Sequence, residues 1–392
     1  MLSSSVVTRI AIVGANYAGL SVAKNLCTLF ADEEEHQIKV TLFDKRDGFV
    51  HAIGMTRGLA CPAFGEDLWV DYKEFAWAKS EVIEFVQAEV VSVHKNYLVL
   101  DNDTEFSFDY LIIGTGLHRN PPIWPKATSK EKFVHEIKAY NASTIHDTDS
   151  VVVIGAGAVG VEMAADLKCE FPEKKVTIIH SRAGPIVGPF SQEFRDKVVE
   201  ELEAMGVELM FNERVKTQEE IETEEGEKKL YEIITEKGSR VLANAVINCT
   251  GYGKPATSFL RLTETTDEPL LTKSLLIRVR ESMQLIDPAY PHIFAIGDVN
   301  DFQEIKLAGA AIYQGFFAAK NIHKLITSAD EDVELEKYPR LHQHLILILG
   351  RERGAAETEE GVGGSEVVKN LMMDDMGLTL CKKTLGYFGE EK

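Results

Sequence analysis

Two stretches decide the fold: Ile10-Ala11-Ile12-Val13-Gly14-Ala15-Asn16-Tyr17-Ala18-Gly19 and Val151-Val152-Val153-Ile154-Gly155-Ala156-Gly157-Ala158-Val159-Gly160. Each runs from a block of β-formers through a glycine turn into a helix-like stretch. That is the setting in which a G-x-G-x-x-G pattern carries meaning. The glycines let backbone approach a pyrophosphate, and the N–H groups and macrodipole of the following helix favour its negative charge. Two ordinary parallel βαβ units would show similar turns, but a pair of such patterns predicts two dinucleotide sites, between which electrons can pass. The second copy is complete at Gly155, Gly157 and Gly160. The first keeps Gly14 and Gly19 but has Asn16 in the middle, followed by Ala18, which permits a tight turn with less room for a pyrophosphate.

Outward from the first turn, a helix to about Leu29 leads to a strand, Ile38–Phe43, which ends at Asp44 and Lys45. An acidic side chain at this strand end accepts hydrogen bonds from an adenosine ribose, so Asp44 and its neighbour Lys45 are candidate cofactor residues. The second unit ends its strand, from Lys175, in His180-Ser181-Arg182 instead. Without a carboxylate a 2′-phosphate is not repelled, and Arg182 with His180 can pair with one, which tilts the choice toward NADPH. If Arg182 is only a solvated loop residue, either nicotinamide serves.

The remaining segments order themselves around these units. A stretch near Val90–Val93 and a hairpin around Asn102-Asp103 precede a buried strand, Tyr110–Ile113, that runs into Gly114-Thr115-Gly116. Pro121, Pro122 and Pro125 mark a crossing between domains. The helix-like stretch from Ser191 to Met205 stops at Gly206, a strand follows at Val207–Phe211, and residues 230–236 and 240–248 read as a hairpin that ends in Cys249-Thr250-Gly251. The chain then returns through a strand ending at Gly297 and Asp298, and an alanine-rich helix is predicted from near Lys306 to about Leu325. The last part holds apolar strands, Leu345–Leu349 among them, and an acidic glycine-rich loop near 357–365. The expected architecture is α/β: one Rossmann-like dinucleotide-binding domain from 1–120 and 290–334, a second from 121–289, and a small α+β domain at 335–392.

Composition narrows the function. Lys and Arg number 42 against 62 Asp and Glu, a formal charge of −20, which argues against nucleic acid as a main partner. The five cysteines form no C-x-x-C and no other close pair in sequence, so they read as reduced thiols, without the pair that a disulfide reductase needs beside its flavin. No His/Cys cluster has metal-ligand spacing, and no metal is expected. The start, Met1-Leu2-Ser3-Ser4-Ser5, shows neither a secretory signal nor a glycine for myristoylation, and no run is apolar enough to span a bilayer. A cytoplasmic protein is expected, with peripheral membrane contact and a homodimer left open.

The two glycine units, Gly114-Thr115-Gly116, Cys249-Thr250-Gly251 and Ala295-Ile296-Gly297-Asp298 together resemble the pyridine-nucleotide-dependent flavoprotein reductases of glutathione-reductase-like fold. Within that group Gly160–Ala165, Phe171-Pro172-Glu173-Lys174 and Val176–Ser181 are most similar to the apoptosis-inducing-factor homologues of ferroptosis-suppressor type, which are NAD(P)H:quinone reductases. The resemblance implies FAD at the first site, NADPH or NADH at the second, and a quinone as electron acceptor. It also implies that Asp298 bonds the flavin's ribityl or pyrophosphate region, that the helix start at Lys306 and Leu307 faces the flavin, and that Glu162 positions the nicotinamide. His51 falls where such chains place a histidine near the flavin, though a structural role suits a lone histidine as well. Relatives sit on mitochondrial or lipid-droplet surfaces. A reductase of a small electron-transfer protein and a nicotinamide-responsive redox sensor are the competing readings.

Overall fold

Ile10, Ala11, Ile12 and Val13 are buried on both faces, as residues of a central parallel strand must be. In the computed structural model, which describes residues 7–119, 122–224, 228–251, 253–330, 333–339, 344–372 and 374–387, strand Val7–Val13 is the middle of a parallel sheet. Among the described residues the order of that sheet is Ile293–Ala295, Tyr110–Ile113, Val7–Val13, Gln37–Asp44, Ile83–Gln87. A second parallel sheet runs Glu208–Met210, Lys175–Ile179, Ser150–Ile154, Ala245–Asn248, with Val153 opposite Ile178 on one side and Ile247 on the other. Each sheet carries an antiparallel companion: Val90–Val93, Tyr97–Leu100 and Glu105–Ser107 for the first, Val215–Ile221, Leu230–Thr235 and Arg240–Ala243 for the second. Met1–Ser5 and Pro121 lie outside the described residues.

The stretch read as one strand at 240–248 divides at Asn244. Arg240–Ala243 stays in the antiparallel sheet, whereas Ala245–Asn248 enters the parallel one. Asn244 makes the switch affordable in hydrogen bonds: its Oδ1 accepts from the Ser150 N–H at 3.2 Å and the Ser150 hydroxyl at 2.9 Å, and its Nδ2 donates to the Lys229 carbonyl at 3.0 Å. Backbone groups that leave one ladder before joining another would otherwise be unpaired.

Where the chain crosses between the two sheets it does so twice, and the crossings pair as a short antiparallel ribbon, Leu117–His118 with Lys254–Pro255. The alanine-rich helix runs Ala308–Thr327 and packs on helix Tyr17–Leu29. Its small residues permit a close approach: Gly315 sits against the Ala18 carbonyl, and the Ser21 hydroxyl donates to the Ile312 carbonyl at 2.6 Å.

Leu345–Leu349 is a buried strand, antiparallel to Arg353–Thr358, which in turn pairs with Gly361–Gly363 inside the expected loop. Its alternation decides how this last unit docks. Leu345, Leu347 and Leu349 join the core that contains Val161, Ala165 and Leu167, while Ile348 faces Val368 and Met376 on the C-terminal segment. Two helices, Ser365–Met372 and Leu378–Thr384, complete the unit.

Candidate dinucleotide sites

Gly14 and Gly155 adopt φ of +97° and +108°, a left-handed conformation that side chains resist. Five residues on, a Cβ on Gly19 or Gly160 would run into the carbonyl oxygen of its own turn, so close helix–strand packing demands glycine there. Each turn rests on the loop that follows a neighbouring strand: Gly14 against the Gly114 carbonyl, Gly155 against that of Cys249. Gly114-Thr115-Gly116 and Cys249-Thr250-Gly251 are thus equivalent parts of two equivalent units. Thr115 donates to the Ala256 carbonyl at 2.9 Å and Gly116 accepts from the Ala256 N–H at 3.1 Å, so the first loop also holds the returning crossing.

The strand-end residues do the same job by different chemistry. Asp44 Oδ2 accepts the Ala15 N–H at 2.9 Å, and its Oδ1 accepts that of Arg46 at 2.9 Å. In the second unit His180 Nδ1 accepts the Ala156 N–H at 3.1 Å. That bond fixes the ring hydrogen on Nε2, a buried atom with no partner among the described residues. Burial, and then the nearby Arg182 charge, pull the His180 pKa down, so the ring offers a neutral N–H donor. Lys45 and Arg182 are exposed.

The helix ends differ in how they are closed. Asn16 caps helix Tyr17–Leu29 by accepting the Tyr17 N–H at 2.8 Å, and donates to the Val50 carbonyl at 3.3 Å. Helix Ala158–Glu170 has Gly157 at its N-cap with no side-chain cap, and a Cβ on Gly157 would meet open space. Helix Ala308–Thr327 begins after Leu307, also without a side-chain cap. Neither has an acidic residue in its first turn. Unclosed helix starts, open space at Gly157 and the orphan His180 Nε2–H fit phosphate-bearing dinucleotides.

Other residues singled out from sequence lie on the junctions between units. Glu162 is 7% exposed; its Oε1 accepts the Ile348 N–H at 3.2 Å from the last unit, and burial pushes its pKa up to about 8. It stands beyond the first turn of its helix and does not serve as a dipole-compensating acid there. His51 is fully buried. Its Nε2–H donates to the Met376 carbonyl at 3.0 Å, and its Nδ1 accepts from the Tyr17 hydroxyl at 3.2 Å. Burial holds its pKa down at about 4, so it is neutral. Gly297 donates to Gln314 Oε1 at 2.7 Å, and Asp298 pairs with Arg119 at 3.1 Å. The Lys306 ammonium turns back onto the Asn300 carbonyl at 2.8 Å and its Oδ1 at 3.0 Å, leaving backbone N–H groups as what this helix start presents.

One cluster was not anticipated. Arg57 and Asp166 are each 1% exposed and paired at 3.1 Å. Thr56 donates to the other Asp166 oxygen at 2.9 Å, while Arg57 also donates to the carbonyls of Asp374 at 2.9 Å and Gly350 at 2.5 Å. Helix Met55–Ala60, the second glycine helix and the last unit therefore meet at one guanidinium. Arg57 inside the apolar run Met55–Ala60, and Asp166 alongside Glu162 inside Val161–Leu167, are the signal that marks such a pair.

The family model described as pyridine nucleotide-disulphide oxidoreductase matches residues 8–315. The chain belongs to that family. It is an oxidoreductase of a group that works with FAD and NAD(P)H. Oxidoreductase OXR1 of Ajellomyces capsulatus is 29% identical over 419 residues, covering 98% of this chain and 89% of its own length. Human ferroptosis suppressor protein 1 is 28% identical over 380 residues, covering 96% of this chain and 95% of its own. Apoptosis-inducing factor homolog B of Dictyostelium discoideum is 27% identical, covering 89% of each. Among solved structures, reduced Bacillus anthracis CoADR-RHD superposes with a TM-score of 0.67 at 22% identity, over 90% of this chain and 62% of its own length. The water-forming NADH oxidase of Lactobacillus brevis bound to NADH gives 0.65 at 19% identity, over 89% and 74%. These likenesses establish the fold.

Proposed function

We propose that the chain is an NAD(P)H:quinone oxidoreductase that holds FAD at the turn Gly14–Gly19 and NAD(P)H at the turn Gly155–Gly160. The observation that carries this reading is the doubled unit with contrasting strand ends, an acid on the first and a neutral histidine beside an exposed arginine on the second. Asp44 keeps lone pairs for ribose hydroxyls while bracing its own turn. His180 Nε2–H and Arg182 suit the 2′-phosphate of NADPH, the histidine as a neutral donor and the arginine as the charge. Near full-length similarity to ferroptosis suppressor protein 1 and apoptosis-inducing factor homologues supports a quinone acceptor.

When bound, the flavin supplies the hydride acceptor and the onward electron transfer. The chain's residues supply position. Asp298, now paired with Arg119, would hold the flavin's side chain, and the unclosed helix start after Leu307 would offer N–H groups to the negative charge of the reduced cofactor, worth about 0.3–1 kcal/mol if exposed. Glu162, protonated at neutral pH, holds a hydrogen for the nicotinamide carboxamide while Ile348 fixes its other oxygen. Tyr17 and His51 tie the first turn to the C-terminal segment. Among the described residues no helix is long and apolar enough to cross a membrane, so any membrane contact of this chain at a mitochondrial or lipid surface would run through another feature.

The test is steady-state oxidation of NADPH and NADH by the FAD-loaded chain with a short-chain ubiquinone analogue, menadione, or oxygen alone. Turnover that is fast only with a quinone is expected. Flavin reduction without quinone turnover overturns the acceptor assignment and favours a sensor or a protein acceptor.

A further inference from the structure

Cys61 and Cys169 are far apart in sequence and belong to no C-x-x-C, yet adjacent residues of one loop, Gly350 and Arg351, reach both. Cys61 follows helix Met55–Ala60, and Cys169 lies in the last turn of helix Ala158–Glu170. The Arg57–Asp166 pair sets these two helices in register. From Arg57 to Cys61 is four residues and from Asp166 to Cys169 is three, so each thiol follows its member of the pair by about one turn of chain.

The loop that reaches this point from the last unit touches both. Arg351 Nη2 donates to Cys61 Sγ at 3.8 Å and to Glu170 Oε1 at 2.6 Å. The preceding Gly350 packs on Cys169, so that a Cβ there would lie 3.0 Å from the Cys169 Cβ and 3.4 Å from its sulfur. The Arg351 pKa is raised first by its hydrogen bonds to Glu170 and, further down, by both thiols, which places each of them within its electrostatic range. Both cysteines are free and partly exposed, open to a small oxidant.

We propose that Cys61 and Cys169 are a peroxide-sensitive dithiol that closes into a disulfide between the first-unit helix and the nucleotide helix. One thiolate attacks hydrogen peroxide, forming a sulfenic acid and releasing hydroxide, which takes up a proton to leave as water. The second thiol then displaces the hydroxyl of the sulfenic acid, the S–S bond forms, and a second water departs. The two sulfurs give up two electrons and the peroxide is reduced to two waters. The bond closes a loop of just over a hundred residues across two units, a length at which a cross-link strongly constrains the unfolded chain. The oxidation of these two thiols does not depend on which acceptor the chain uses.

The experiment treats the FAD-loaded full chain with graded hydrogen peroxide, blocks free thiols with N-ethylmaleimide and maps peptides without reduction. A Cys61–Cys169 linked peptide is expected, lost on dithiothreitol treatment and absent from Cys61→Ser and Cys169→Ser. An upward shift in the melting temperature of the oxidised wild type, not of either variant, is expected with it. The proposal is overturned if either thiol oxidises separately with no linked peptide, or if both stay open to alkylation while peroxide oxidises other cysteines. Should a serine variant fail to bind FAD, the wild-type peptide map decides alone.

Discussion

Replacing Glu162 by Gln isolates the cost of a buried acid. The carboxyl is nearly inaccessible, its Oε1 accepts the Ile348 N–H, and its pKa moves from 4.5 to about 8, chiefly through burial, with Asp166 adding to the rise and the Ile348 N–H and Arg57 opposing it. In the unfolded chain the group ionises near its ordinary value. Between the two values the unfolded state has lost the proton and the folded state still holds it, so this residue's contribution to stability falls as pH rises through that window. Linkage sets the slope at about 1.4 kcal/mol per pH unit for one proton. Glutamine keeps the acceptor for Ile348 and ionises in neither state. Urea unfolding of the FAD-loaded wild type and Glu162→Gln should therefore show a pH-dependent gap that is small near pH 5. It should widen in favour of the variant to a ceiling of about 5 kcal/mol and level off above pH 8. Parallel stability curves for the two proteins across this range would refute the reasoning.

Arg57→Met should cost about 3–5 kcal/mol in the same assay, because it strands the Asp166 carboxyl and unpairs two carbonyls; a loss under 1 kcal/mol would mean that the pair does not hold the three units together. Gly157→Ala should leave the melting temperature unchanged and raise the KM for NAD(P)H about tenfold, since its Cβ enters the space kept for a pyrophosphate. Gly160→Ala, with its Cβ driven into the Gly155 carbonyl, should lower the melting temperature as well, and equal thermal behaviour of the two variants would contradict this division. Arg182→Ala should raise the KM for NADPH roughly tenfold more than that for NADH, and an equal effect on both cofactors would remove Arg182 from the 2′-phosphate site.

The glycine turns were legible because their constraints are local: a left-handed φ and a carbonyl five residues away are settled within one short stretch of backbone. The parallel strands were legible for a related reason, since apolar residues filling both faces leave few alternatives. What sequence could not show is contact at long range. No glycine or proline separates Arg240 from Asn248, and the change of sheet at Asn244 is dictated by Ser150, 94 residues earlier. His51 was visible as a residue type, but its partner Met376 lies 325 positions away. The direction of the Lys306 ammonium depends on how the Asn300 loop folds back, which no periodicity encodes. The cysteines read as solitary thiols because spacing was the only available guide, while register between two helices sets which of them meet.

Among the described residues the first sheet is completed by Ile293–Ala295, whereas every strand of the second lies between Ser150 and Asn248. A chain emerging from the ribosome in order of synthesis thus holds all of its second sheet before it holds all of its first. Until some three hundred residues have been made, strand Tyr110–Ile113 lacks its edge partner and helix Tyr17–Leu29 lacks the Ala308–Thr327 helix that packs on it. The inner unit can close in the meantime. The sheet begun first is therefore the one completed last.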